Sequence, residues 1–125
     1  MILKIDIAGQ TPIYQQICNQ IMAGVAKGDL KPGDPLPTVR QLAGDIGVNP
    51  MTVNKAYALL KKEEIIIADR RHGAQIRDNS EMKDKAFDKG FDYQAQLLIS
   101  KAHIKGASKQ DIKKHFSNLV DRICD

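Results

Sequence analysis

Near the middle of the chain, four of the five residues from 51 to 55 have side chains of different chemistry: Met51, Thr52, Asn54 and Lys55. Asn49 is a good N-cap and Pro50 suits the first helical position, so these side chains are predicted to face outward on the first two turns of a helix. An asparagine amide can form two hydrogen bonds with adenine, and threonine can reach a base or a phosphate. Methionine offers apolar contact, and lysine supplies a charge directed at phosphate. The set therefore favours contact with base edges in the major groove of duplex DNA.

A solvated surface is the ordinary interpretation of such a face on an isolated helix, and the preceding residues argue against it. Thr38 and Gln41 have the spacing of a capping box, which predicts a short helix from Val39. Gly47 can end that helix in the left-handed conformation, and Asn49 starts the next one at once. Two helices joined by so brief a turn predict a helix-turn-helix, in which the second helix projects from the body.

Basic side chains outside this helix could also contact DNA. Arg40 lies in the first turn of the first of these two helices, where it could clasp a phosphate, or form a surface salt bridge instead. A strand from Ile65 to Ala68, a turn from Asp69 to Gly73 and a return strand from Ala74 predict a hairpin. Its tip carries Arg70, Arg71 and His72 before Gly73, and cationic side chains of this kind suit the minor groove. A solvated turn is the alternative interpretation.

Three further elements are predicted ahead of residue 38. The alternation of apolar and polar residues from Leu3 to Ile7 indicates a short extended segment that could pair with another strand. Apolar residues at every fourth position predict an amphipathic helix from Pro12 to about Lys27, with Gly28 as its stop. The segment 29–37 holds three prolines and a glycine and is therefore a connector.

Beyond residue 79 the pattern predicts a helical hairpin capped by Ser80 and, in its second helix, by Ser108. Two apolar stripes run along these helices, and they include Phe87, Phe91, Leu98, Ile112, Phe116, Leu119 and Ile123. Such stripes are more often a core or a dimer seam than a cofactor site, and a seam suits a two-fold DNA reader. The predicted domains are residues 1–78, a DNA-binding domain, and residues 79–125, a dimerisation region.

Composition limits the alternatives. The 125 residues carry 19 Lys and Arg against 15 Asp and Glu, a net charge of +4 that permits contact with polyanions. Cys18 and Cys124 lack the spacing of a zinc site, and the three histidines lack partners for a metal site or a nucleophile. We therefore expect no metal, no cofactor and no enzymatic activity. No run of residues has the form of a signal peptide or a membrane span, so a cytoplasmic protein is expected.

The segments "PIYQQI" (12–17) and "GDLKPGDPLPTVRQLAGDIGVNPMTVNKAYALL" (28–60) resemble the GntR family of bacterial transcription regulators. The short helical tail is similar to that of its YtrA-like subfamily. The resemblance covers about residues 9 to 77. It implies a winged helix-turn-helix dimer that binds a pseudo-palindromic operator, usually as a repressor. The positions that contact DNA in the family correspond here to Arg40, Asn49 through Thr52, Asn54, His72 and Gly73.

Some residues depart from the family pattern. Family members often carry an arginine where Pro50 stands, although an asparagine-proline pair is usual in the subfamily. Glu64 occupies a place where glycine is common, and the wing sequence "RRHGAQI" has one glycine. The tail is too short for the effector domains of other subfamilies, so a small-molecule effector would have to bind at the dimer interface or where the two domains join.

The sequence thus predicts a mainly α protein with a small β wing: a winged helix-turn-helix domain followed by a C-terminal helical hairpin. The predicted function is sequence-specific transcription regulation by a homodimer bound to double-stranded operator DNA. The alternative is a winged-helix module that binds an acidic protein partner and has no DNA specificity.

Overall fold

The computed structural model describes residues 1–71 and 73–125, which form two compact units, Met1–Asn79 and Ser80–Asp125. The predicted fold class is confirmed: the first unit is helical with a two-stranded antiparallel sheet, and two further helices follow. The elements of the first unit are α1 (Ile13–Lys27), α2 (Val39–Ile46), α3 (Pro50–Lys62), β1 (Ile66–Asp69) and β2 (Gly73–Ile76). Those of the second are a short 3₁₀ turn (Lys83–Lys85), α4 (Lys89–Ile104) and α5 (Lys109–Ile123).

The core of the first unit lies where α1, α3 and the hairpin meet. Its largest fully buried side chains are Ile17, Ile21, Val53, Leu60, Ile66 and Ile76. The predicted inward face of α3 is confirmed, since Val53, Ala56, Tyr57 and Leu60 are all buried. Full burial of an aliphatic side chain contributes roughly 2 kcal/mol, so this cluster fixes which face of α3 points inward. The opposite face of α3 is left outside.

The hairpin of β1 and β2 is the predicted wing, with Ile66 opposite Ile76 and Asp69 opposite Gly73. Asp69 and Gly73 pair across the turn, so β1 ends one residue later and β2 begins one residue earlier than predicted. β1 also begins one residue later than predicted, at Ile66. The connector before α2 runs along the outer side of β2, where the Leu36 N–H donates to the Ala74 carbonyl at 2.8 Å. The connector therefore ties the wing to the start of α2.

The C-terminal end of α3 contains Glu64, a non-glycine residue in the left-handed conformation, with φ 62°. The Glu64 N–H donates to the Lys61 carbonyl at 3.0 Å and the Ile65 N–H to the Leu60 carbonyl at 2.9 Å, which is a Schellman motif. The residue at this position of the motif is usually glycine. A glutamate fits at the cost of strain, and its carboxylate lies 3.4 Å from the Arg77 guanidinium.

The N-terminal segment is not part of a sheet, so its predicted pairing with another strand was wrong. Side-chain amides of α1 take the place of a strand. The Lys4 N–H donates to Gln20 Oε1 at 2.8 Å, while Gln20 Nε2 donates to the Lys4 carbonyl at 2.7 Å. Gln16 binds both backbone groups of Asp6 in the same way, each at 2.8 Å.

The second unit begins differently from the prediction, because Ser80 does not cap a helix. The first α-helical residue is Lys89, and the cap is Asp88, whose carboxylate accepts the Phe91 N–H at 2.8 Å. A carboxylate at this position satisfies a free amide and favours the helix N-terminus electrostatically. Phe87 therefore precedes α4, and its ring packs edge-on against Phe91 with centroids 5.1 Å apart.

Helix α5 starts at the predicted cap. Ser108 Oγ accepts the Asp111 N–H at 3.0 Å, and the Asp111 carboxylate accepts the Ser108 N–H at 2.9 Å. These hydrogen bonds lower the pKa of the Asp111 carboxyl. Neither α4 nor α5 contains a fully buried residue. Within residues 1–71 and 73–125, no helix is long and apolar enough to cross a membrane.

Candidate nucleic-acid interface

The turn between α2 and α3 has the geometry expected of a helix-turn-helix. The Thr38 and Gln41 capping box is formed, with the two hydrogen bonds at 2.9 and 3.1 Å. Gly47 ends α2 with φ 71°, a value that suits glycine. The Asn49 side-chain oxygen then accepts the Met51 N–H at 2.8 Å and starts α3. These local contacts fix the direction in which α3 leaves the turn.

The first two turns of α3 present the predicted set of side chains to solvent. Met51 is 78% exposed, which is unusual for a large apolar side chain. Asn54 and Lys55 are also exposed, and Thr52 is half-buried. Donors, an acceptor, an apolar group and a cation are therefore available on one accessible surface.

Asn49 has a structural role that limits what it can contact. Its side-chain oxygen is occupied by the Met51 N–H, and the amide nitrogen of the same side chain keeps two donors. A capping asparagine can thus offer hydrogens to an acceptor such as a phosphate oxygen. In a bidentate adenine contact, the same oxygen would have to accept a second hydrogen bond beside the cap.

Tyr57 anchors α3 to the residues ahead of α2. Its hydroxyl donates to the Pro37 carbonyl at 2.7 Å, and the ring is buried in the core. Burial raises the pKa of Tyr57 to about 12, because the charged phenolate is disfavoured away from water. Arg40, predicted to contact phosphate, is exposed on the first turn of α2, three residues after Pro37.

A groove of about 580 Å³ separates α3 from the wing. Asn54 and Lys61 line it on the helix side, and Asp69 and Gly73 line it on the wing side. The structure therefore brings a predicted base-reading residue of α3 and the glycine of the wing to the two walls of one groove.

The tip of the wing carries the remaining predicted residues. Arg70 and Arg71 are exposed, and the Asp69 carboxylate accepts the Arg71 N–H at 2.8 Å. Gly73 has φ 66°, the left-handed region that glycine adopts at no steric cost. The prediction for His72 lies outside the described residues.

This region contains a contact that the sequence did not predict. The Lys55 ammonium lies 4.0 Å from the centroid of the Tyr14 ring on α1. No local spacing rule links these two residues, because they meet only when α1 packs against α3. Tyr14 thus joins the residues around the outward face of α3.

Comparison with known proteins identifies the family. Residues 13–76 match the family described as bacterial regulatory proteins, gntR family. The chain is 47% identical over 78 residues to the HTH-type transcriptional repressor YtrA of Bacillus subtilis, a match that spans 62% of this chain and 60% of YtrA. It is also 31% identical to the HTH-type transcriptional regulator Rv1152 of Mycobacterium tuberculosis over 95% of this chain and 94% of that protein.

Solved structures agree with this assignment. A transcriptional antiterminator from Listeria monocytogenes superposes with a TM-score of 0.84 at 29% identity, covering 98% of this chain and 92% of that one. YtrA from Sulfolobus acidocaldarius, a GntR-family transcription factor, superposes with a TM-score of 0.62 at 36% identity, covering 97% and 98%. The chain therefore belongs to the gntR family of bacterial regulatory proteins, as a YtrA-like transcriptional regulator with a winged helix-turn-helix.

Proposed function

We propose that this protein represses transcription as a homodimer bound to a pseudo-palindromic operator, which each subunit reads with α3 and the wing. The observation that carries the proposal is the exposed face of α3, where polar, apolar and cationic side chains lie beside the groove that leads to the wing. A helix of this kind fits the major groove, whose base edges offer complementary groups.

On α3, the proposed contacts divide into base reading and phosphate binding. Asn54 and Thr52 would hydrogen-bond base edges, and Met51 would contact a thymine methyl group. Lys55 would bind a phosphate and contribute affinity without sequence preference. Asn49 would donate to a phosphate from its free amide nitrogen, since its oxygen is held by the cap.

Outside α3, the proposed contacts are mainly electrostatic. Arg40 would clasp a phosphate from the start of α2 with its planar guanidinium group. Arg70, Arg71 and His72 would enter the minor groove, where the negative potential is enhanced. Gly73 would let the wing backbone approach the duplex without a Cβ in the way.

The homodimer is supported by the second unit. α4 and α5 hold no fully buried residue, while Phe91, Leu98, Phe116 and Ile123 are exposed. Two helices that expose this much apolar surface are marginal alone, and a second copy of the hairpin would cover it symmetrically. The proposed seam consists of Phe87, Phe91, Leu98, Ile112, Phe116, Leu119 and Ile123.

Repression is proposed because the YtrA protein of Bacillus subtilis, 47% identical over the matched residues, is named a transcriptional repressor. A dimer seated on an operator blocks polymerase when the operator overlaps the promoter.

The test is binding to a duplex that carries the promoter of the protein's own gene. We expect salt-sensitive binding and a footprint of two protected half-sites about one duplex turn, or about 10 base pairs, apart. An unrelated duplex of the same length serves as the control for specificity. Equal affinity for both duplexes and no footprint would instead favour a winged-helix module that binds an acidic protein.

A further inference from the structure

We propose that Tyr14 is a positioning residue for DNA binding, whose ring holds the Lys55 ammonium on the surface that meets the phosphates. This inference rests on the proposed function, because Lys55 acts here as a phosphate-binding residue. Tyr14 lies on α1, which is otherwise a core helix of the first unit, so the inference extends the interface beyond α2, α3 and the wing.

The geometry is that of a cation–π contact. The Lys55 nitrogen lies 4.0 Å from the Tyr14 ring centroid, well inside the roughly 6 Å over which the negative face of a ring attracts a cation. Tyr14 is half-buried and packs against the core, whereas Lys55 is exposed. Tyr14, the less exposed residue, is therefore the more constrained partner, and Lys55 is held by it.

The backbone on both sides of this contact is also fixed. Cys18 lies one helical turn after Tyr14, and its thiol donates to the carbonyl of Ala56, the neighbour of Lys55, at 3.3 Å. Cys18 and Ala56 are both buried. This hydrogen bond thus holds α1 against α3 within one helical turn of the Tyr14 ring and the Lys55 ammonium.

The ring restricts Lys55 without consuming its donors. A free lysine side chain samples many rotamers, and it must give up that freedom to bind a phosphate. An ammonium group has three N–H donors, and a ring takes up only the side of the group that faces it. The remaining donors stay directed at solvent, where a phosphate oxygen can accept them.

The test is a double-mutant cycle on DNA affinity with the full chain. Wild type, Tyr14→Leu, Lys55→Met and the double variant are titrated against a duplex of unrelated sequence at low salt, so that no operator needs to be known. We expect Tyr14→Leu to weaken binding about two- to five-fold in the wild-type background. In the Lys55→Met background the same substitution should have no further effect.

The salt dependence of DNA binding and the conservative variant Tyr14→Phe distinguish the positioning of Lys55 from a general role of Tyr14 in stabilising the fold. Tyr14→Leu should reduce the slope of log affinity against log salt by up to about 1, the share of one phosphate contact. Tyr14→Phe keeps the aromatic face and should bind with wild-type affinity and slope. An equal loss from Tyr14→Leu with and without Lys55, or an equal loss in Tyr14→Phe and Tyr14→Leu, would overturn the inference.

A measurement on the wild-type protein guards against a Tyr14→Leu variant that does not fold. The ε-methylene protons of Lys55 should be shifted upfield by the ring current, in the free protein and when bound to DNA, and a normal shift in the DNA complex would also overturn the inference. If the wild type binds no duplex at low salt, the proposed function fails as well. If the wild type binds DNA normally and the effects of Tyr14→Leu and Lys55→Met are additive, only the proposed role of Tyr14 is refuted.

Discussion

The side chain of Gln20 binds both backbone groups of Lys4. Its oxygen accepts the Lys4 N–H at 2.8 Å, and its nitrogen donates to the Lys4 carbonyl at 2.7 Å. This is the pairing that an adjacent strand would offer, supplied here by an amide that projects from α1. The N-terminal segment is thereby held against a helix, with the backbone groups of Lys4 satisfied.

The first prediction concerns this contact. Gln20→Met keeps the length of the side chain and removes both hydrogen bonds, so the Lys4 amide should exchange its hydrogen about 3- to 10-fold faster. The Asp6 amide should keep its protection, because Gln16 still binds it. Gln15→Met is the matched control, since that side chain bonds only to Asn19 among the contacts described. Unchanged exchange at Lys4 would contradict the assignment.

The second prediction concerns the strained residue at the end of α3. Glu64→Gly should stabilise the protein by about 0.5 kcal/mol, because the relief of left-handed strain exceeds the loss of an exposed ion pair and the entropy cost of glycine. Glu63→Gly is the control, since Glu63 has φ −78° and gains no relief. Thermal unfolding should show opposite signs for the two variants, and a shared sign would refute the argument.

The third prediction concerns pH. The pKa of Tyr57 rises from 10 to about 12 on burial, so the folded state holds this proton more tightly than the unfolded state. Stability from this group is fully present below pH 10 and is lost as the pH rises towards 12, by on the order of 2 kcal/mol. Chemical unfolding at several alkaline pH values should show a shallower decline in Tyr57→Phe. Tyr93→Phe, a change in the second unit, should follow the wild type.

The fourth prediction separates phosphate binding from base reading. Arg40→Ala should weaken binding to all duplexes and reduce the salt slope by about 1. Asn54→Ala should cost about 1–3 kcal/mol on the operator and relax preference at particular base pairs, with little effect on unrelated DNA. Equal losses on every sequence for both variants would be inconsistent with these roles.

The fifth prediction concerns the proposed dimer seam. Leu98 is 62% exposed on α4, and Leu98→Lys would place a charge in the seam and dissociate the dimer at micromolar concentration. Gln96→Lys adds the same charge on the opposite side of α4 and should leave the dimer intact. Sedimentation equilibrium measures both. If the Leu98→Lys variant remains dimeric, the dimer seam does not include this face of α4.

The elements around the helix-turn-helix could be predicted from the sequence because their ends are set by local chemistry. Thr38 and Gln41 cap each other, Gly47 ends α2, and Asn49 caps α3. Each of these signals lies within three residues of the helix end it determines. The inward face of α3 was predicted equally well, since helical periodicity alone defines it.

Other features depend on competition between signals or on distant residues. Alternation in residues 3–7 cannot tell a strand partner from the glutamine amides that bind Lys4 and Asp6. Serine and aspartate are both residue types that favour a helix cap, and here the carboxylate of Asp88, not Ser80, starts the helix α4. The contact of Tyr14 with Lys55 depends on how two helices pack, which no local pattern contains.

The left-handed Glu64 has a practical consequence for directed evolution of this protein. Every glutamate codon differs from a glycine codon by one base, so random copying errors reach glycine at position 64 in a single step. A library selected for survival of heating should therefore recover this substitution early. A search confined to residues of the buried core would never sample it.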